Sequence, residues 1–185
     1  MVQPLKEIIE LFGDDEASLA EALSSFSSVF ENEEAEDVSY FLKNLAISNE
    51  KTGVSRTYLI VNDDAWERAE LQIDGYFTIA IKVLYFNDVD RGAQDEIHRV
   101  LGNTSKNCPA YLIGQLARGK HCDKGAGRQY LERALSYISG SSEIVGGRLV
   151  YLDCKKALRS YYEQAGFQFL QEKHKSSLIQ MYRVI

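Results

Sequence analysis

The spacing of hydrophobic and polar positions divides the chain into a helical first part and a later part that contains strands. Apolar residues that recur every three or four positions predict helices over residues 4–12, 16–30 and 36–51. In the second of these helices the apolar stripe ends at Phe30, and Gly53 is typical of the residue that stops the third. The first quarter of the chain is therefore predicted to be almost entirely helical.

The pattern changes after residue 55. β-Branched and aromatic residues dominate the segments RTYLIV (56–61) and DGYFTIAIKVLYF (74–86), and both predict strands. The elements predicted after them are, in order, a helix over 90–101, a strand over 110–117, a helix over 127–139 ended by Gly140 and Ser141, a strand over 147–154, a short helix over 155–164, and a closing pair of strands in GFQFL and SLIQMYRVI. Helices first and then alternation of strand and helix predict an α/β (α+β) protein with a mixed sheet.

Composition narrows the class of protein. The 185 residues are 45% hydrophobic and 26% charged, which is typical of a globular protein, and no apolar run reaches the length of a membrane span. Cys108, Cys122 and Cys154 follow no disulfide-framework spacing, so we expect reduced thiols and a cytoplasmic location. The net charge of −6 argues against a nucleic-acid partner, because binding to phosphates favours a basic face.

The predicted strand 110–117, the loop 118–126 and the helix 127–139 form a candidate anion site. The start of a helix offers unpaired N–H groups and the positive end of the helix dipole, and glycines let the backbone approach a phosphate closely. The loop contains Gly125, and Gly127 is the first residue of the predicted helix. Neither the P-loop pattern nor the dinucleotide pattern of glycines is present. The alternative from these residues alone is a tight turn without a ligand.

Two segments resemble the GNAT superfamily of acetyl-CoA-dependent N-acetyltransferases, in particular its uncharacterised bacterial members. The loop CDKGAG (122–127) is similar to the family's Gln/Arg-x-x-Gly-x-Gly/Ala signature, with Cys122 where the family has Gln or Arg. The segment YYEQAGF (161–167) is similar to the family's aromatic-Tyr-x-x-x-Gly-Phe pattern. The resemblance covers residues 110–170 closely and implies a mostly antiparallel central sheet flanked by helices.

The resemblance also implies a domain organisation and a co-substrate. Residues 1–35 lie outside it, which predicts an N-terminal helical extension packed on an acetyltransferase domain of residues 36–185. The co-substrate implied is acetyl-CoA, without a metal. Backbone groups of the glycine loop would bind the pyrophosphate of coenzyme A, and backbone groups at the end of the preceding strand would pair with its pantetheine arm. The residues implied for the first role are Lys124, Gly125, Ala126, Gly127 and Arg128, and those implied for the second are Leu116 and Arg118.

The family pattern selects Tyr162 as the acid that protonates the departing thiolate of coenzyme A. Its neighbour Tyr161 points about 100° away on a helix, so at most one of the two should face the co-substrate. The alternative for both tyrosines is packing at the end of the helix. The sequence does not identify a general base. Three residues, Glu70, Tyr76 and Gln115, lie on or beside strands that could reach such a site, and the pattern does not select one of them.

For three other polar residues the sequence favours a structural role over a chemical one. Asp153 is predicted to cap the helix that follows it, and Cys154 is more simply a buried thiol than a nucleophile. His121 stands next to Cys122 without a second Cys/His pair at ligand spacing, so the sequence predicts no metal site.

Two classes of function remain open from the sequence. One is a cytoplasmic acetyltransferase that moves an acetyl group directly to an amine of a small molecule or a protein, with a homodimer left open. The other is a module that binds an acyl-CoA without turnover, as a sensor. Transfer to an aminoacyl-tRNA is a sub-case of the first class, and the negative charge counts against it.

Overall fold

The computed structural model describes residues 1–13, 15–28, 33–86, 89, 91–102, 104–173 and 176–185, without the side chains of 33–37. The described helices are α1 (Leu5–Phe12), α2 (Glu16–Ser24), α3 (Glu33–Asn44), α4 (Ala46–Thr52), α5 (Asp63–Glu67), α6 (Arg91–Leu101), α7 (Ala126–Val145) and α8 (Arg159–Glu163). The described strands are β1 (Val2–Pro4), β2 (Arg56–Val61), β3 (Ile73–Tyr85), β4 (Asn107–Arg118), β5 (Leu149–Lys155), β6 (Gln168–Glu172) and β7 (Leu178–Val184).

The strands form one seven-stranded sheet in the order β1-β2-β3-β4-β5-β7-β6. The pairs β1–β2, β2–β3, β5–β7 and β6–β7 are antiparallel, whereas β4 and β5 are parallel. The predicted mixed, mostly antiparallel sheet flanked by helices is therefore confirmed. The strand β1 was missed, because three residues are too few to show a periodicity.

The contacts divide the chain into two compact units, of which the first comprises Met1–Ala80 and Gln115–Leu135. Its core joins the N-terminal helices to β2, β3 and α4. The fully buried residues of this core include Leu5, Ile8, Leu19, Leu23, Leu42, Ala46, Leu59 and Tyr76. The apolar stripes of α1 and α2 are thus buried within the first unit. The second helix was predicted to continue to Phe30, but α2 ends at Ser24 and residues 25–28 are not helical. Phe30 itself lies outside the described residues.

The helix predicted over 36–51 is divided in two. A turn at Leu45 separates α3 from α4, and α4 ends at Gly53, whose positive φ of 71° is typical of a helix stop. The predicted stop is therefore confirmed, although the interruption at Leu45 has no counterpart in the hydrophobic pattern.

The second unit comprises Ile81–Gly114 and Ser136–Ile185. Its core contains Leu149, Leu170 and Tyr182 from the strands and Ile97 from α6, all with no exposed surface. The Tyr182 hydroxyl donates to the Glu96 carboxylate at 2.8 Å, which ties the sheet to α6 within this unit.

The predicted end of the helix at Gly140 and Ser141 is wrong, because α7 continues to Val145. The Ser141 hydroxyl donates to the Tyr137 carbonyl at 2.9 Å, a bond that lets serine remain within a helix. The helix ends instead at Gly146, whose φ is 79° and whose N–H donates to the Ser142 carbonyl at 2.9 Å.

Candidate functional site

The loop before α7 has the shape that the sequence predicted. Helix α7 begins at Ala126, immediately after Gly125, whose φ of 102° is a conformation that side chains disfavour. A Cβ atom built on Gly125 would have no heavy atom within 4 Å, so the space in front of the turn is open. The glycine therefore serves the backbone conformation and leaves room at the start of the helix.

Two of the N–H groups implied in pyrophosphate binding already have backbone partners. The Ala126 N–H donates to the Asp123 carbonyl at 3.3 Å, and the Arg128 N–H donates to the Gly125 carbonyl at 2.9 Å. For the N–H groups of Lys124 and Gly125, the described part of the chain provides no acceptor. With the first-turn N–H of Gly127, these are the donors that a bound anion would reach without breaking a backbone bond.

The side chain of Arg118 closes the loop. It extends from the end of β4, and its guanidinium donates to the carbonyls of Cys122 and Asp123, the second at 3.1 Å. The Arg128 guanidinium pairs with the Glu132 carboxylate one turn along α7, at 3.1 Å. The resemblance implied only a backbone role for Arg118, but its side chain also fixes the loop that leads to α7.

The parallel ladder between β4 and β5 is short. It consists of the pairs Tyr111–Val150 and Leu112–Tyr151, and it stops well before β4 ends at Arg118. Leu116, the other residue implied in pantetheine pairing, lies on this last part of β4 and is partly buried.

Asp74, on β3 in the first unit, contacts several residues of the loop that precedes α7. Its carbonyl oxygen accepts from the Gly119 N–H at 2.7 Å and from the Cys122 thiol at 3.1 Å, and the Tyr130 hydroxyl lies 3.5 Å away. Its carboxylate lies 2.8 Å from the His121 Nε2 atom. Sequence reasoning missed Asp74 and Tyr130, because no local pattern links them to residues that are distant along the chain.

Asp74, His121, Cys122 and Tyr130 line an open, polar cavity of about 560 Å³. The cavity also includes the loop residues Asp123, Lys124, Gly125 and Ala126. Burial raises the pKa of the Cys122 thiol and that of the Tyr130 phenol above their ordinary values, so both groups hold their protons at neutral pH. The cavity thus offers backbone donors and the exposed Lys124 on one side, whereas Asp74 and Asp123 add carboxylates to its lining. The part that suits an anion is therefore the side formed by the loop N–H groups and Lys124.

Tyr162 lies in the second unit, on the short helix α8, and only 8% of it is exposed. The helix ends in a Schellman motif, in which the Phe167 N–H donates to the Tyr162 carbonyl at 3.1 Å and the Gly166 N–H donates to the Glu163 carbonyl at 2.9 Å. Gly166 takes the left-handed conformation that this motif requires, with φ of 81°. The glycine of the family pattern therefore has a structural reason to stand at this position.

The Tyr162 hydroxyl makes no hydrogen bond with the described part of the chain. Burial, with further contributions from Cys154 and Tyr161, raises its pKa well above the usual value for a phenol. The phenol is therefore fully protonated at neutral pH, as a proton donor must be. Tyr161 is more exposed, and its ring contacts that of Tyr162 edge-on, with the centroids 5.0 Å apart.

The prediction that Asp153 caps the following helix is wrong. Asp153 lies within β5, where its carboxylate accepts from the Gln180 side chain at 2.9 Å and pairs with Lys173. Lys155, which precedes the following 3-10 turn, provides no side-chain cap. The strand ends one residue later than predicted, at Lys155, and a 3-10 turn over Lys156–Leu158 precedes α8, so the carboxylate is not at the start of the helix.

Cys154 is buried, and burial together with the Asp153 carboxylate raises its thiol pKa to about 11. A thiol of this kind is almost entirely un-ionised at neutral pH, which is unfavourable for a nucleophile.

The three residues considered as bases differ in environment. Tyr76 has no exposed surface, and its hydroxyl donates to the Val38 carbonyl at 2.5 Å. Burial raises the pKa of this phenol well above its usual value, so the phenolate that a base requires does not form at neutral pH. Glu70 is exposed and pairs with Arg68 at 3.1 Å. Gln115 lies on β4 and has no basic group. Of these three, only Glu70 has the chemistry of a base.

Comparison with known proteins gives matches in structure alone. No model of a protein family and no curated protein sequence matches the chain. Among described helices, none is long and apolar enough to cross a membrane.

Solved structures match over most of the chain. A structure of AtaT complexed with acetyl-methionyl-tRNAfMet has a TM-score of 0.65 and 18% identity, and covers 85% of each chain. A structure of a tyrosine-to-phenylalanine mutant of KacT has a TM-score of 0.65 and 19% identity, again over 85% of each chain. A structure of AtaTR bound with acetyl-CoA has a TM-score of 0.66 and 15% identity, and covers all of this chain and 92% of the other. The chain therefore has the fold of the GNAT acetyltransferases, as its loop and helix motifs predicted.

Proposed function

We propose that the protein is an acetyl-CoA-dependent N-acetyltransferase of the cytoplasm. The observation that carries the proposal is the Gly125 turn at the start of α7, which faces an open polar cavity and has backbone donors at Lys124 and Gly125. Structural neighbours solved with acetyl-CoA support the same co-substrate.

In this proposal the loop residues 124–128 bind the pyrophosphate of coenzyme A, mainly through the N–H groups of Lys124, Gly125 and Gly127. The β4 backbone at Leu116 and Arg118 pairs with the pantetheine arm, which the early end of the β4–β5 ladder favours. The Arg118 guanidinium keeps the loop closed and adds positive charge beside the phosphates. No metal takes part in the transfer.

The reaction is direct transfer. The neutral amine attacks the thioester carbonyl, the tetrahedral intermediate loses the thiolate, and the Tyr162 phenol gives that thiolate its proton. The excess proton of the new amide nitrogen leaves to solvent or to a base, and the phenolate is reprotonated. Because the pKa of Tyr162 is raised, complete transfer before C–S cleavage is unfavourable, so the proton moves as the thiolate charge develops.

The acceptor is an amine of a small molecule or a protein, or the amino group of an aminoacyl-tRNA. Two observations favour the tRNA-linked acceptor. One is the neighbour solved with acetyl-methionyl-tRNAfMet. The other is the distribution of charge, since the second unit carries 11 Lys and Arg against 8 Asp and Glu in a chain whose net charge is −6. The negative charge that argued against nucleic acid is thus concentrated in the first unit.

The test is a turnover screen in which the release of free thiol from acetyl-CoA is followed with small amines, lysine peptides and aminoacyl-tRNA as acceptors. Turnover with any of these acceptors, abolished by omission of the acceptor, would establish the transferase. Saturable binding of acetyl-CoA without turnover across all three classes would instead favour the sensor that the sequence left open.

A further inference from the structure

Three side chains with metal-binding chemistry meet in the first unit. The side chains of Asp74, His121 and Cys122 each offer one ligand atom, and these atoms all lie within 4.8 Å of one another. The sequence predicted no metal site because His121 and Cys122 lack a second ligand pair nearby in the chain. Asp74, on β3, supplies the third ligand.

From this cluster we propose that Asp74, His121 and Cys122 bind one zinc ion, with the fourth coordination position open to the cavity. Bond lengths to zinc of about 2.0–2.3 Å place tetrahedral ligand atoms roughly 3.3–3.8 Å apart, so the cluster needs only a small adjustment of its side chains. One nitrogen, one sulfur and one oxygen donor match zinc, whereas magnesium and calcium take oxygen ligands. Zinc binding removes the thiol proton, and the two negative ligands then balance the charge of the ion.

The surroundings hold the three ligands in place. The Gly119 N–H donates to the Asp74 carbonyl, and a Cβ atom on Gly119 would lie only 2.9 Å from His121 Cε1, so glycine permits the close approach. The Tyr130 hydroxyl lies 3.5 Å from the same Asp74 carbonyl that the Cys122 thiol approaches at 3.1 Å, so the phenol stands directly beside the three ligands.

Access to the site is also suitable. The side chain of His121 is 49% exposed and that of Asp74 is 20% exposed, so an ion can enter from solvent without a conformational change. The same residues line the cavity beside the glycine loop. A zinc ion at this position would fix the segment 119–122 that leads into the loop.

The experiment uses the full chain, freed of metal by a chelator and studied without acetyl-CoA, so that its result does not depend on the proposed transferase activity. Zinc is titrated calorimetrically, with magnesium as the comparison ion. We expect one zinc per chain and no saturable magnesium binding. Cobalt(II) in place of zinc should give a thiolate-to-metal charge-transfer absorption band.

The variants assign the ligands. Cys122→Ser and His121→Ala should each weaken zinc binding by more than about 100-fold, and Tyr130→Phe, which removes a supporting contact, by about 10-fold. His98→Ala is the matched control, because this histidine lies on α6 in the second unit. The His98→Ala variant should bind zinc with the same affinity as the wild type.

Circular dichroism checks that each variant is folded. Absence of saturable zinc binding to the wild-type chain would overturn the proposal. Zinc affinities of Cys122→Ser and His121→Ala that equal the wild-type affinity would also overturn it. If a variant does not fold, the cobalt spectrum of the wild-type chain decides the matter, since a missing charge-transfer band excludes the thiolate ligand.

Discussion

The ring of Phe167 lies edge-on to the ring of Tyr162, with the two centroids 5.9 Å apart and the planes at 73°. The two residues are also joined by the backbone bond that closes α8, from the Phe167 N–H to the Tyr162 carbonyl. Packing and helix capping therefore hold the same tyrosine that the proposed reaction uses as its acid. A hydroxyl fixed in this way can be placed at a reacting atom without loss of side-chain entropy during the reaction.

Replacement of Tyr162 by Phe keeps the ring contacts and removes only the proton donor. General acids contribute about a hundredfold to ten-thousandfold, so kcat should fall by that order while the affinity for acetyl-CoA changes little. The measurement is steady-state kinetics with the acceptor found in the turnover screen, or hydrolysis of acetyl-CoA. Tyr161→Phe is the control and should cost far less. A larger loss in Tyr161→Phe would mean that the neighbouring phenol is the acid.

Gly166→Ala tests the cap behind Tyr162. An alanine at φ of 81° costs about 1–2 kcal/mol, and the altered cap should also displace Tyr162 and lower kcat. Thermal unfolding and kinetics measure the two effects. Gly53→Ala is the matched control, because Gly53 ends α4 with φ of 71° in the first unit. It should lose similar stability but keep kcat, and an equal loss of kcat in both variants would remove the link to Tyr162.

Gly125→Val should weaken coenzyme A binding by at least about 10-fold, because valine disfavours the positive φ and would occupy the open space in front of the turn. Calorimetric titration with coenzyme A gives the change. Gly140→Ala, in the interior of α7, is the control; it should stabilise the helix by up to about 1 kcal/mol and leave the affinity unchanged. Equal affinities in a folded Gly125→Val protein would exclude this loop as the pyrophosphate site.

Deletion of residues 1–30 should unfold the first unit, because α1 and α2 supply core residues such as Leu5 and Leu19. A milder form of the test is Leu5→Ala, which should lower the free energy of unfolding by about 2–5 kcal/mol. Leu11→Ala is its control, since Leu11 is 70% exposed, and should change that free energy by less than about 0.5 kcal/mol. Chemical denaturation measures both. A truncated protein that remains soluble and cooperative would show that the segment is an independent extension.

The protein should lose stability between about pH 9 and 11. Burial raises the pKa of Cys108 and Cys154 from 9.0 to about 11. In that range the unfolded chain has lost these protons while the folded chain still holds them, so the free energy of unfolding falls as the pH rises. The contribution is complete below pH 9 and amounts to at most about 3 kcal/mol per thiol. Urea unfolding at several pH values measures the decline, which Cys154→Ala should reduce. A stability that stays flat to pH 11 would contradict this account.

The sequence alone determined the elements whose signals are local. The strand over 56–61 was predicted with its observed bounds, and the turn at Gly125 was placed within one residue of the start of α7. Both depend on side-chain periodicity or on glycine conformation, which neighbouring residues decide. The family resemblance then predicted the fold, which the structural neighbours confirm.

Tertiary structure decided what depends on residues distant in the chain. The meeting of Asp74 with His121 and Cys122 follows from the packing of β3 against the loop before α7, and no spacing along the sequence encodes it. Asp153 was assigned as a cap because its neighbours suggested the end of a strand, whereas pairing with β7 extends β5 past it. The apolar stripes of α1 and α2 predicted that these helices are buried, but not which part of the protein they pack against. Only the folded core shows which residues cover them. Local chemistry sets the propensity of a segment, but long-range contacts decide its partners.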